Sequence, residues 1–339
     1  MTDPRLDPVL TRALGRRGFL QGALGASAAG AAIYAVGCGS DRKKTPPTAA
    51  ATTPSAGVTP GSTANAAGIK PVLLTSEYVA GVENRFAVGL MNGDGKLILD
   101  AAVHLKFFSI ASDGVSGTLR GEGDAAFTQL NIDGAHAHDE TTGAASTDDA
   151  ISFYVANAPF DAPGTWGVEV DVTPDDGSKP VQIQVPLQVL RASKTPNLGT
   201  VPPASRNDTA LTVAPGATIC TRSPVCPLHD KVIGDVLGKG RPLVVQFSTP
   251  AFCQTRFCGP VLEVLLAKVP EYQDRIDFVH IEVWQDFQLQ TYRPTMAEWK
   301  LDTEPFTFFM GSDGRVALKI EAIFTEEELA SALEQLAKL

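Results

Sequence analysis

Basic residues are in the minority: 28 Lys and Arg stand against 38 Asp and Glu in 339 residues, a formal charge of −10. Nucleic-acid binding is set aside on that ground, because phosphate contacts need clustered Lys and Arg. Hydrophobic residues make up 44% of the chain and charged ones 19%, a balance that excludes both a wholly disordered chain and a polytopic membrane protein. Cysteine is scarce. The five present are an odd number, so in an oxidising compartment one of them needs a fate other than an intrachain disulfide. The length allows about two domains of roughly 100–200 residues each.

What charge there is lies unevenly. Residues 1–44 carry a net +4, leaving −14 for the remainder. Arg16-Arg17-Gly18-Phe19-Leu20 opens an uncharged, Ala- and Gly-rich stretch that runs to Gly37. This layout resembles a twin-arginine export signal, and Ala35-Val36-Gly37-Cys38 resembles a bacterial lipobox whose cysteine takes a diacylglycerol. Gly15 and Ala35 depart from the commonest residues of those two patterns. An uncleaved signal anchor is the rival reading, set second because a Gly/Ala-rich stretch is a weak membrane span. The resemblance implies a signal peptide over 1–37, lipidation at Cys38 and a location on the outer face of the cell membrane. Residues 38–69, rich in Pro, Thr and Ala, read as a disordered tether.

From residue 70 to 192 the pattern changes to short β-type runs: 72–75, 85–90, 103–108, 151–155, 166–172 and 182–187. Several alternate apolar with polar, and Asn92-Gly93, Asp113-Gly114 and Asp176-Gly177 supply turns between them. The expected fold is an immunoglobulin-like β-sandwich. His136 and His138, with Asp139 and Glu140, form the one metal-like cluster here, and the solvated-loop reading is preferred to Cu(II) or Zn(II) binding. His104 reads as an exposed strand residue. No nucleophile–base arrangement occurs in this half, so its default role is a spacer or binding module.

Residues 193–217 contain Pro196, Pro202, Pro203 and Pro215 and read as a linker. Beyond it, strands alternate with helices: a helix over 230–237, a strand over 242–247, a helix over 260–272 and a strand over 276–283. A short helix over 295–300, a hairpin of 306–310 with 316–320, and a last helix capped by Thr325 and Glu328 complete the expected order. Phe247 leads through Ser248-Thr249-Pro250-Ala251-Phe252 to Cys253, and Glu304-Pro305 precedes the hairpin. This part of the chain, 218–339, resembles the thioredoxin-like superfamily. The resemblance implies an α/β domain with Cys253 as nucleophile, Cys258 as resolving cysteine, Pro305 as the cis-proline of the partner groove and Arg256 favouring the thiolate.

Two departures qualify the match. The cysteines are five apart rather than three, so Cys253 must lie ahead of the helix to reach Cys258. Gln246 stands where family members commonly bury an acid. Four cysteines beyond Cys38 allow three pairings; the preferred one joins Cys220 to Cys226 and Cys253 to Cys258. Zinc held by those four cysteines is the rival, ranked lower for an exported protein with these spacings, so no metal or cofactor is assigned.

The expected whole is multidomain, an all-β sandwich followed by an α/β domain, and its expected activity is thiol–disulfide exchange with thiols or disulfides of exported proteins. Two alternatives remain: a non-enzymatic envelope adaptor with a structural disulfide, and a copper-binding chaperone. The chaperone reading is weak because no histidine lies between His280 and Pro305. A peroxiredoxin is set aside because Pro250 stands where its threonine belongs.

Overall fold

The computed structural model describes residues 68–98, 101–130, 151–252 and 257–339. Arg16, Arg17, Cys38, His136, His138, Cys253 and Arg256 lie outside the described residues. The chain is β-rich with few helices, and no helix among the described residues is long and apolar enough to cross a membrane.

The first nine strands are β1 (Lys70–Leu73), β2 (Tyr78–Val79), β3 (Asn84–Met91), β4 (Ala101–Ile110), β5 (Gly117–Asp124), β6 (Ala126–Leu130), β7 (Ile151–Ala158), β8 (Gly164–Pro174) and β9 (Val181–Leu190). They form two sheets, ordered β1-β3-β7-β6 and β2-β9-β8-β4-β5. Period-two alternation turns Val103, Leu105 and Phe107 of β4 and Val168, Val170 and Val172 of β8 inward. They meet Phe86, Val88 and Leu90 of β3 and Tyr154 of β7 in one shared core, so the sheets face each other as a sandwich. Tyr78, Phe86, Phe107, Phe160 and Trp166 link through that core with ring centroids 4.9 to 5.8 Å apart.

All six expected runs are strands, with bounds moved by a few residues. β2, β5 and β6 were not foreseen. β5, Gly-Thr-Leu-Arg-Gly-Glu-Gly-Asp, is an edge strand exposed along most of its length, so burial imposes no alternation on it.

The second half contains α1 (Ile233–Val236), β10 (Leu243–Ser248), α2 (Cys258–Tyr272), β11 (Asp277–Glu282), β12 (Trp284–Asp286), β13 (Thr291–Tyr292), α3 (Pro294–Glu298), β14 (Phe306–Met310), β15 (Val316–Glu321) and α4 (Glu326–Leu336). Its main sheet has the order β11-β10-β14-β15, with β10 and β11 parallel and the other pairs antiparallel. Val261, Leu262, Leu265 and Val269 form one stripe of α2, and Leu329, Ala332, Leu333 and Leu336 one stripe of α4. Both stripes pack with Val244, Phe278 and Phe309. The opposite face of the sheet, with Val245, Phe247, Ile281 and Phe308, is covered by Ile233, Met296 and Trp299.

The capping box at α4 forms as its residues suggest: Thr325 Oγ1 accepts from Glu328 N at 2.9 Å, and Glu328 Oε2 accepts from Thr325 N at 2.9 Å. α1 is shorter than the expected 230–237. The backbone before it is already committed, since Leu228 O accepts from His280 N and His229 O accepts from Ala210 N. Gly234 is required there, because a Cβ would sit 2.7 Å from the Ala204 carbonyl oxygen.

The expected linker also behaves differently. Residues 193–217 hold no helix or strand, yet they are strapped to the second half. Gly199 N donates to Val316 O, Val316 N to Thr200 O, and Trp299 Nε1 to Ser205 Oγ at 3.0 Å. The two halves are packed together as well. Ala87 of β3 and Ile151, Phe153 and Val155 of β7 point out of the sandwich into the core that holds the α2 and α4 stripes. Arg85 joins Glu328 through two contacts of 2.9 and 3.1 Å. Glu321 accepts from Ser76 N at 2.8 Å and also from Ser76 Oγ, and Lys319 Nζ reaches Glu77 at 2.7 Å.

Candidate functional site

The chemistry-bearing residues gather where β10 and β11 end and β14 begins. Parallel pairing sets Gln246 beside His280 and Ser248 beside Glu282, while antiparallel pairing sets Phe247 beside Phe306. Pro305 therefore enters the sheet next to the end of β10, and the Glu304–Pro305 peptide is cis. Cys258, buried, opens α2 close by; its sulfur lies 3.5 Å from Glu304 Oε2. Cys253 and Arg256 lie outside the described residues.

Burial pushes the Glu304 carboxyl up to about 8, and the Glu282 carboxylate adds to the effect, against hydrogen bonding from Thr249. Glu304 is therefore mostly a neutral acid at pH 7. Its neighbour Glu282 is fully buried and well supplied with donors: Thr221 N and Thr221 Oγ1 at 2.8 Å each, and Thr249 Oγ1 at 2.5 Å. Gln246 is buried with its Nε2 3.4 Å from Ser248 Oγ.

A second cluster lies on the other side of Glu282. β11 is the edge of its sheet, and the segment around Leu228 lies along that open edge through the His280 N bond to Leu228 O. The loop 220–229 is thereby laid over His280. Arg222 holds it to α2 by a two-point bridge to Glu263 at 2.6 and 3.0 Å. Cys220, Cys226, His229 and His280 are all buried, with one ligand-type atom from each lying within 4.8 Å of the other three. Cys226 Sγ is 3.2 Å from His229 Nε2 and 3.3 Å from His280 Nδ1. Cys220 Sγ is 3.7 Å from His280 Nδ1, and the two imidazole nitrogens are 3.2 Å apart.

The expected Cys220–Cys226 disulfide is thus corrected: both are free cysteines. Their sulfurs are turned toward imidazole nitrogens because the loop closes over β11 rather than on itself. A hydrogen bond from Cys226 favours the Cys220 thiolate, whereas Cys226, as the donor, is held as a thiol by that bond and by burial. Burial lowers His229, keeping it neutral. His229 and His280 are the residues missed in the sequence. The local signal was Cys-x5-Cys-x2-His; the fourth member arrives only through the edge pairing, 51 residues beyond His229.

His104 sits on β4 as expected, 2.7 Å from Asp124, whose hydrogen bond raises its pKa. A scan against protein-family models finds no match for the chain, and no curated protein matches it.

Proposed function

We propose that the protein carries out thiol–disulfide exchange with cysteines of exported proteins, using Cys253 and Cys258 as the reactive pair. The observation that carries this reading is the position of Cys258: a sulfur at the first turn of α2, 3.5 Å from Glu304, the residue that precedes a cis proline. A helix N-terminus stabilises a leaving thiolate. The proline leaves no N–H to obstruct an extended partner chain at that end of the sheet.

In the oxidised form a partner thiolate attacks Cys253 Sγ. A partner–Cys253 disulfide forms, the Cys253–Cys258 bond breaks, and Cys258 leaves as a thiolate that takes the proton of Glu304. A second partner thiolate then attacks the partner sulfur and releases Cys253 as thiolate. Two partner thiols have become one disulfide, and the protein's disulfide has become a dithiol. The same steps in reverse reduce a partner disulfide.

A four-stranded mixed sheet with helices on both faces and the cis Glu304–Pro305 peptide support the thioredoxin-like assignment of 218–339. The two facing sheets support the immunoglobulin-like assignment of 70–192. Export by the twin-arginine signal and lipidation at Cys38 complete the reading, placing the exchange site on the outer face of the cell membrane.

The test is redox titration of the chain against glutathione, with turnover of a disulfide-bonded protein substrate. Cys253→Ser and Cys258→Ser should each abolish turnover, and Cys258→Ser should trap a mixed disulfide on Cys253. Turnover unchanged by both substitutions would falsify the proposal.

A further inference from the structure

We infer that Cys220, Cys226, His229 and His280 form a closed, tetrahedral Cys2His2 site for a zinc ion, separate from the exchange cysteines.

Spacing between the ligand atoms is the first argument. Zinc–sulfur bonds of about 2.3 Å and zinc–nitrogen bonds of about 2.0–2.1 Å, set tetrahedrally, leave the ligand atoms about 3.3–3.8 Å from one another. Four separations in the cluster are 3.2, 3.2, 3.3 and 3.7 Å. Four of the six edges thus lie close to those of a tetrahedron around a metal, and the other two are within 4.8 Å, with the four atoms converging from a loop and a strand rather than strung along one element.

The direction of the lone pairs is the second. His280 Nε2 is 3.0 Å from the Ser248 carbonyl oxygen, which can only accept, so the ring proton sits on Nε2. Ser248 Oγ lies 2.9 Å from the same nitrogen. Nδ1 is left as a bare lone pair aimed at two sulfurs and a second imidazole at once. One hydrogen bond can use that lone pair; three converging donor atoms are more than a hydrogen-bonded cluster needs and what a metal needs. A ligand imidazole oriented through its other nitrogen is also the usual outer support of zinc histidines.

Charge balance selects the metal. Two thiolates and two neutral imidazoles neutralise a divalent ion, which suits a site in which all four residues are buried. A monovalent copper ion would leave one negative charge buried there. The set is closed, with four protein ligands, so the ion holds loop 220–229 against β11 rather than reacting with substrate.

The experiment uses the full chain, purified with its thiols reduced. Metal content is measured after dialysis against zinc, and cobalt(II) is exchanged in to read the visible absorption of a tetrahedral cobalt thiolate. One zinc per chain, a tetrahedral cobalt spectrum, and loss of both in Cys226→Ser and His280→Ala are expected. Should a variant fail to fold, alkylation of the wild-type chain decides: zinc should slow modification of Cys220 and Cys226 about tenfold or more. A wild-type chain that takes up no zinc, holds it undiminished in both folded variants, or gains no alkylation protection overturns the assignment.

Discussion

Glu304 Oε2 stands 3.5 Å from Cys258 Sγ, and Glu304 is the residue whose peptide to Pro305 is cis. The carboxyl therefore looks directly at the sulfur that leaves in the proposed exchange. Burial and the nearby Glu282 raise its pKa from 4.5 to about 8. The folded chain keeps this proton to about pH 8, whereas the unfolded chain releases it near 4.5. The stabilising contribution is thus complete below pH 4.5 and lost as pH rises through 8. Glu304→Gln removes that dependence. Denaturant unfolding should show the variant gaining on the wild type between about pH 5 and pH 9, by up to roughly 4 kcal/mol. Exchange should slow in the variant at neutral pH, where the wild type still has its proton to give.

Glu328 serves two structures at once, capping α4 through Thr325 and pairing with Arg85 across the two halves. Glu328→Ala should cost about 2 kcal/mol, from a lost cap and a half-buried ion pair. Glu328→Gln keeps an acceptor for the cap and should cost about half as much. Equal losses in the two variants, measured by chemical denaturation, would show that the cap contributes nothing, and no loss in Glu328→Gln would show the same of the Arg85 pair.

Phe153 is fully buried on the outward face of β7, against the second half, with the Arg85 guanidinium 5.7 Å from its ring centroid. Truncation to alanine should cost about 3–5 kcal/mol. The form of the loss is more telling than its size. Once the shared core is cut, calorimetry should resolve two melting transitions where the wild type shows a single cooperative one.

Ser248 Oγ is one of two acceptors near His280 Nε2, the other being its own carbonyl oxygen. Ser248→Ala leaves the carbonyl in place, so zinc affinity should fall only about tenfold, at the low end for an outer-shell change. Competition with a chromophoric chelator reads it. Unaltered affinity would mean that the carbonyl alone orients the ring.

Local signals were legible in the sequence and long-range ones were not. The Thr325–Glu328 box lies within one helical turn, and the Asp113-Gly114 turn depends on its own side chain, Asp113 Oδ1 accepting from Val115 N at 2.9 Å. β3 shows the limit. Its outward Ala87 is as buried as its inward Phe86, because the second half covers it, so alternation weakens just where the halves meet. Cys258 and Pro305 were found by their neighbours in the chain. His229 and His280 were not, because what unites them is a loop lying along an open sheet edge.

The two-sided burial of β3 and β7 has a consequence for how the sandwich can meet other molecules. One of its outer faces is already spent on the second half of the same chain. Among the described residues the uncovered broad face is that of the five-stranded sheet, where Lys106, Glu169, Asp171, Gln184 and Gln188 point outward and Lys106 is clasped between Glu169 and Asp171 at 2.8 Å each. A visitor there meets hydrated, paired charge with a net negative excess instead of an apolar shelf. That surface sheds neighbours, so the sandwich offers partners a polar wall rather than a docking face.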